Sequence, residues 1–149
     1  MYQHILISTD GSDVATKGLD HGLQLAKTLG ARVTIVTVTE PFPVYAASAG
    51  TAWSTPIEID AGYETDQKAI ADGILKTAKA EADARGVEAS VLHIPHAFPA
   101  EAIVDAAKAQ GCSLICMASH GRRGLGRLLL GSQTAEVLAH SPVPVLVVR

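Results

Sequence analysis

The residue types best suited to binding chemistry lie together in one stretch, positions 118–132. It reads Ala-Ser-His-Gly-Arg-Arg-Gly-Leu-Gly-Arg-Leu-Leu-Leu-Gly-Ser and so combines four glycines with three arginines. Glycine lets a backbone approach an anion closely, and the free N–H groups that open a helix, here near Ser132 and Gln133, attract negative charge. The pattern predicts a phosphate site, and a glycine-rich loop with solvated arginines is the alternative.

Two common phosphate motifs do not fit this stretch. It lacks the Gly-x-x-x-x-Gly-Lys-Ser/Thr order of a P-loop. Gly124 and Gly126 could open a dinucleotide fingerprint, but Leu129 stands where the third glycine belongs. A phosphate site in this stretch must therefore be of another kind.

Other polar candidates are fewer. Asp10, in the turn after the first apolar run, could contact a ligand or simply cap the turn into the next helix. His93 and His96 lie three positions apart, but Pro95 between them argues against metal ligation. The sequence shows no nucleophile paired with a base, so fast catalysis is not indicated.

Five short apolar runs define the strands that must position these residues. The runs are continuous rather than alternating, which is typical of strands covered on both faces of a parallel sheet. They are Ile5–Ile7, Val33–Val38, Ser90–Ile94, Leu114–Met117 and Val145–Val148.

Helix-sized segments separate the strands. The helices are predicted from Ala15 to Leu29, from about Tyr63 to Arg85, from Pro99 to before Gly111, and from Ser132 to before Pro142. The alternation β-α-β-α-β-α-β-α-β predicts an α/β fold, an open, doubly wound parallel sheet with helices on both faces.

One long interruption, Glu40 to Asp60, contains three prolines and Trp53. In a compact domain, a loop of this length is typically a lid, a binding segment or mobile. We expect either a flexible flap or a plain surface insertion.

Composition limits the class of protein. The chain has 149 residues, 48% of them hydrophobic, and a formal net charge of −3, which predicts a single domain covering 1–149. No apolar run approaches the roughly 20 residues of a membrane helix, so no membrane association is expected. With 12 basic and 15 acidic residues, nucleic acid is not an expected partner. Cys112 and Cys116 form no zinc motif, and the absence of a visible secretory signal predicts a cytoplasmic protein.

Three stretches, taken in order, resemble the universal stress protein family in its single-domain form. His4–Ser12 resembles the family's opening strand and acidic turn, Ser119–Ser132 its phosphate loop, and Ser141–Val148 its closing strand. The resemblance runs through the whole chain. It implies a Rossmann-like, adenine nucleotide alpha hydrolase-like sheet of five strands in the order 3-2-1-4-5.

The family's nucleotide pattern is Gly-x2-Gly-x9-Gly-Ser/Thr. Gly121, Gly131 and Ser132 match three of its four positions, and Ala118 replaces the first glycine. By position, the resemblance implies contacts to base and ribose from the ends of the strands and contacts to phosphate from the loop and the last helix. The implied nucleotide-binding residues are Thr9, Asp10, Val38, Met117, Ala118, His120, Gly121, Arg122, Gly131, Ser132 and Gln133.

The resemblance also implies a function. The expected ligand is ATP, or AMP or ADP, with Mg²⁺, and the expected role is that of a sensor or regulator in the stress response. The expected partners are a second copy, joined through the terminal strand Val143–Val148, and an unidentified regulatory protein. The alternatives are a family member whose nucleotide site is non-functional, favoured by Ala118, and a slow ATP hydrolase. A phosphoryl-transfer enzyme or a flavoprotein-like domain on the same fold is a further alternative.

Overall fold

A five-stranded parallel sheet organises the protein. The computed structural model describes residues 1–42, 56–119 and 130–149. In chain order, the elements are β1 (His4–Ser8), α1 (Asp13–Leu29), β2 (Arg32–Val38), α2 (Pro56–Ala84), β3 (Ala89–Ile94), α3 (Pro99–Ala109), β4 (Leu114–Ala118), α4 (Ser132–His140) and β5 (Val145–Val148). The strand order is β3-β2-β1-β4-β5, and each neighbouring pair is parallel. The predicted fold class and strand order are confirmed.

The two faces of the sheet carry separate apolar cores, because successive strand residues point to opposite faces. Ile5, Ile7 and Ile35 belong to the core under α1 and α2, and Leu6 and Ile115 to the core under α3 and α4. All five side chains are fully buried. Burying a side chain of this size contributes roughly 1.5–3 kcal/mol, so the central strands are the most strongly held part of the fold.

Glycines let α1 lie close to the sheet. A Cβ built on Gly22 would lie 2.6 Å from Cδ1 of Ile7, and one built on Gly18 would lie 3.1 Å from the backbone nitrogen of Ala118. Both distances are shorter than ordinary van der Waals contact between carbon or nitrogen atoms. The helix therefore depends on the absence of side chains at these two positions.

The long helix begins earlier than the sequence predicts. α2 starts at Pro56 rather than near Tyr63, because proline at the first helical position costs no backbone hydrogen bond. The end of the predicted interruption is therefore helical, and residues 43–55, on which the flap prediction rests, lie outside the described residues. Among the described side chains of α2, the buried stripe runs from Ala71 to Ala82.

In the described part of the chain, α2 included, no helix combines the length and the apolar character needed to cross a bilayer.

The described side chains in the first half of α2 make aromatic and polar contacts instead. The Tyr63 hydroxyl donates a 3.3 Å hydrogen bond to the Glu40 carbonyl, and its ring packs edge-on against Phe42, with 5.1 Å between ring centroids. Glu64 pairs with His96 at 2.6 Å between carboxylate and imidazole. These contacts tie α2 to the loops that follow β2 and β3.

A buried histidine links the first three strands near their amino ends. His4 is 7% exposed; its Nε2 lies 2.8 Å from Thr34 Oγ1, which lies 3.1 Å from Ser90 Oγ. Its Nδ1 has no hydrogen-bond partner among the described residues. Burial lowers the pKa of His4, and the positive charge of Arg32 lowers it further. The backbone of Gln110 and, to a smaller extent, the negative charge of Glu88 raise this pKa, but the net direction is down.

We expect the free energy of unfolding to decrease as the pH falls below about 6.5. An unfolded His4 binds a proton in that range, whereas the folded ring, with its lowered pKa, resists it, so acid favours the unfolded state. His4→Gln should therefore lose less stability than the wild type between about pH 7.5 and about pH 5.5, as measured by urea unfolding. His21→Gln, at an exposed position of α1, is the control and should keep the wild-type pH dependence. An unchanged pH dependence in His4→Gln would contradict the prediction.

Candidate functional site

The turn after β1 is firmly held at the carboxyl edge of the sheet. The Thr9 N–H donates to the Val36 carbonyl at 2.9 Å, and the Thr37 hydroxyl donates to the Thr9 carbonyl. Thr9 Oγ1 accepts the Gly11 N–H at 3.2 Å, and Gly11 has a φ of 77°, which favours glycine. The turn therefore presents Asp10 at the end of the central strand.

Asp10 takes the turn-capping role that its sequence context suggests. Its Oδ1 accepts the Ser12 N–H at 2.9 Å, and Ser12 Oγ accepts the Ala15 N–H at 3.2 Å, which caps the start of α1. Asp10 is nevertheless exposed and lines a cavity at this edge. Its role in the turn thus leaves it where a ligand could reach it.

The other side of the site is formed where β4 ends and α4 begins. The Ser119 N–H donates to the Val148 carbonyl at 2.9 Å, which continues the pairing of β4 with β5. The Ser119 hydroxyl oxygen accepts the Gly131 N–H at 3.3 Å. The start of α4 is therefore fastened to the carboxyl end of β4.

The first turn of α4 presents backbone donors. Gly131 is the N-cap residue and provides no side-chain cap, and the first intrahelical bond runs from the Ala135 N–H to the Gly131 carbonyl at 3.0 Å. The N–H groups of Ser132, Gln133 and Thr134 make no hydrogen bond to any described residue. Because they lie at the positive end of the helix dipole, they form a surface that attracts anions.

These segments enclose a cavity of about 320 Å³. This volume is near the lower end of the range for small-molecule sites. Its walls come from the ends of β1, β2 and β4 and from the first turns of α1, α3 and α4. The lining residues are Ser8, Thr9, Asp10, Ala15, Val36, Val38, Pro99, Ile103, Met117, Ala118, Gly131, Ser132, Gln133 and Thr134.

Most of the residues predicted from the sequence come together at this cavity. Its lining includes Thr9, Asp10, Val38, Met117, Ala118, Gly131, Ser132 and Gln133. His120, Gly121 and Arg122 lie outside the described residues. The contact of each residue with a ligand stays a prediction.

The wall that α3 contributes to the cavity does not follow from the sequence pattern. The sequence predicts Pro99 only as the start of a helix, and Ile103 only as a residue within that helix, yet both line the cavity. Val36, from the middle of an apolar run, also lines it. No local signal separates these residues from ordinary core residues, because only the packing of α3 beside α4 brings them to the site.

The remaining polar candidates have structural partners. His93 Nε2 lies 2.9 Å from Thr39 Oγ1, and His96 is occupied by its pair with Glu64. Within the described ranges, no three His, Cys, Asp or Glu side chains lie close enough together to hold a metal ion. Burial raises the pKa of the Cys116 thiol to about 11, so it stays protonated near neutral pH and is a poor nucleophile.

Comparison with known proteins identifies the family. The model of the universal stress protein family matches residues 1–149. The chain belongs to the universal stress protein family. Universal stress protein YxiE of Bacillus subtilis is 34% identical over 149 residues, with 100% of each chain covered. Universal stress protein MJ0577 of Methanocaldococcus jannaschii is 32% identical over 161 residues, which cover 100% of this chain and 96% of the relative.

Solved structures of universal stress proteins share the fold. The structure of MJ0577 superposes with a TM-score of 0.80 at 28% identity, covering 99% of this chain and 96% of that one. A universal stress protein in complex with cAMP superposes with a TM-score of 0.69 at 26% identity, covering 99% and 97%. The family resemblance read from the sequence is confirmed.

Ala118 is the position at which this universal stress protein departs from the family's nucleotide pattern. A Cβ built on Gly18 of α1 would lie 3.1 Å from Cβ of Ala118, so the methyl group packs beside that glycine. Two residues earlier on the same face, the Cys116 thiol lies 3.6 Å from the Gly18 carbonyl oxygen. The extra methyl group is therefore accommodated by a missing side chain on the helix.

We expect Ala118→Gly to lower the free energy of unfolding by about 1 kcal/mol, because a strand loses a packed methyl group and gains backbone freedom. The response to added ATP, measured by titration calorimetry, should be the same as that of the wild type. Ala89→Gly removes a methyl group from β3, away from the cavity, and serves as the matched control. If Ala118→Gly gained ATP affinity and Ala89→Gly did not, the methyl group of Ala118 would be obstructing the site. That result would support the alternative in which the nucleotide site of the wild type is non-functional.

Proposed function

We propose that this universal stress protein binds an adenine nucleotide, ATP in the first instance, and acts as a nucleotide-dependent regulator in the stress response. The proposal is supported by one observation: the same cavity has an apolar half and a half that donates hydrogen bonds. Nucleotide-dependent regulation requires that a partner distinguish the occupied from the empty state. Such a partner would be a second protein that contacts the rim of this cavity.

The apolar half of the cavity suits a purine base. Val36, Val38, Ile103 and Met117 provide its apolar side chains. Flat heteroaromatic groups favour such walls, whereas their polar edges need only a few hydrogen-bonding groups. Thr9, Asp10 and the backbone at the strand ends supply polar groups of that kind.

The donating half of the cavity suits phosphate. The N–H groups of Ser132, Gln133 and Thr134 are turned toward the cavity end of α4 and have no partner among the described residues. The exposed Ser132 hydroxyl adds a fourth donor. Donors at a helix start bind phosphate oxygens without a positively charged side chain.

The comparisons support the choice of an adenine nucleotide. A universal stress protein of 26% identity has been solved in complex with cAMP, which is itself an adenine nucleotide. The residues around the cavity fit Mg²⁺ only in part, because Asp10 is the one carboxylate among the described residues that line it. A bound Mg²⁺ would therefore draw most of its oxygen ligands from the phosphates and from water.

We expect Ser132→Glu to weaken ATP binding by at least about tenfold, because the new carboxylate faces the phosphates at the start of α4. AMP should be affected less, and adenosine hardly at all, since the repulsion grows with the charge of the ligand. Titration calorimetry with the three ligands, with and without Mg²⁺, measures this.

Ala139→Glu adds the same charge at an exposed position in the last turn of α4, roughly 10 Å along the helix. It should bind all three ligands as the wild type does. Absence of ATP binding to the wild type at millimolar concentration, or equal losses in the two variants, would refute the proposed phosphate site.

We further propose that two copies associate through β5. β5 is an outer strand of the sheet, and all four of its residues, Val145–Val148, are apolar and half-buried. The Ile115 and Ser119 N–H groups bond to the carbonyls of Pro144 and Val148, so alternate β5 residues face β4. Val145 and Val147 therefore direct their backbone groups toward the outer edge, which no described strand covers, and a second strand can pair there.

Val147→Pro should shift a dimer to a monomer, because it removes an outward N–H without affecting the pairing of β5 with β4. Sedimentation velocity measures the change. Val91→Pro is the matched control, since Val91 occupies the corresponding outward position on β3, the opposite outer strand. A wild type that sediments as a monomer, or a Val147→Pro variant that stays dimeric, would exclude this interface.

A further inference from the structure

α3 begins without a capping side chain of its own. Its N-cap residue is Phe98, whose side chain has no acceptor atom, and Pro99 at the first helical position has no N–H. Ala100, which is buried, thus carries the first backbone N–H of the helix. A buried N–H at this position needs an acceptor from elsewhere in the fold.

Gln133 supplies that acceptor from another helix. Its Oε1 accepts the Ala100 N–H at 3.0 Å, although the two residues are 33 positions apart. Ala100 is the second residue of α3, and an N-cap side chain ordinarily binds the N–H at the second or third position. Gln133 thus takes the place of the N-cap side chain that Phe98 cannot provide.

The hydrogen bond joins two walls of the cavity. Pro99 and Ile103 form the wall from α3, and the residues around Gln133 form the wall from α4. On its other side, the loop before α3 is tied to the end of β2 by a 3.2 Å bond from the Ala97 N–H to the Thr39 carbonyl. The first turn of α3 is therefore held from both sides.

We propose that Gln133 is a positioning residue that sets the separation of these two walls, a role that rests on the proposed nucleotide function. Its backbone N–H is one of the first-turn donors of α4 that have no partner among the described residues, but its side-chain oxygen is used to hold α3. Because Ile103 belongs to the apolar half, loss of this bond disturbs the part of the cavity that receives the base and ribose. The side chain thereby acts on the nucleoside through α3.

The test uses adenosine, which has no phosphate, beside ATP. Gln133→Met keeps the length of the side chain but removes the acceptor, and we expect adenosine and ATP affinity to fall by a similar factor, about fivefold. Gln133→Glu keeps an acceptor, so adenosine affinity should stay at the wild-type value even if added charge weakens ATP. Hydrogen exchange of the Ala100 amide should quicken in Gln133→Met and stay slow in Gln133→Glu.

A rescue variant separates positioning from direct contact. Phe98 is 65% exposed and has the extended backbone of an N-cap residue, with φ of −80° and ψ of 131°. Phe98→Ser gives α3 a cap of its own, so the double variant with Gln133→Met should recover adenosine affinity and slow Ala100 exchange. A residue that only contacts phosphate would show no such recovery.

The outcomes are distinct. A Gln133→Met variant that loses ATP affinity but keeps adenosine affinity would overturn the proposal in favour of direct phosphate contact, as would failure of Phe98→Ser to rescue. Unchanged Ala100 exchange in Gln133→Met would overturn the capping role itself. If the wild type binds neither adenosine nor ATP, the proposed nucleotide function is wrong, and so is the proposed effect of Gln133 on ligand affinity. Hydrogen exchange of the Ala100 amide still decides whether Gln133 caps α3.

Discussion

The pairing of β1 with a strand on each side is the constraint on which the rest of the structure depends. Ile7 of β1 is in register with Ile35 of β2 on one side and with Cys116 of β4 on the other. The chain builds the sheet outward from β1 in one direction and then returns to build the other half. The connections after β1 and β4 therefore run to opposite faces, and a crevice opens between them at the carboxyl edge. The cavity occupies that crevice.

Much of the fold could be predicted because its local signals agree with the final structure. The run Val33–Val38 lies within the observed strand Arg32–Val38, and Gly30 ends α1 with a φ of 65°. The start of α2 could not be predicted in the same way. Pro56 is equally typical of a loop and of a first helical residue, and none of the described side chains at 61–70 is buried.

Some residues of the candidate site can be predicted from the local sequence, and others cannot. Thr9 and Asp10, and equally Met117 and Ala118, follow from a general rule, since residues at the carboxyl ends of parallel strands meet at one edge. The wall from α3 does not follow from it. Neither the Gln133–Ala100 bond nor the fit of Ala118 beside Gly18 has a local pattern, because each joins residues that only tertiary packing brings together.

α2 has a consequence for how the molecule comes apart. With 29 residues it is roughly 43 Å long, but its described apolar burial is confined to the later half. In the described part of the earlier half, residues 61–70, Tyr63 and Glu64 make contacts at the surface, which contribute little individually. Such a segment opens at a lower free energy than the sheet does. Residues 61–70 can therefore detach from the sheet and re-form their contacts while the parallel sheet stays intact.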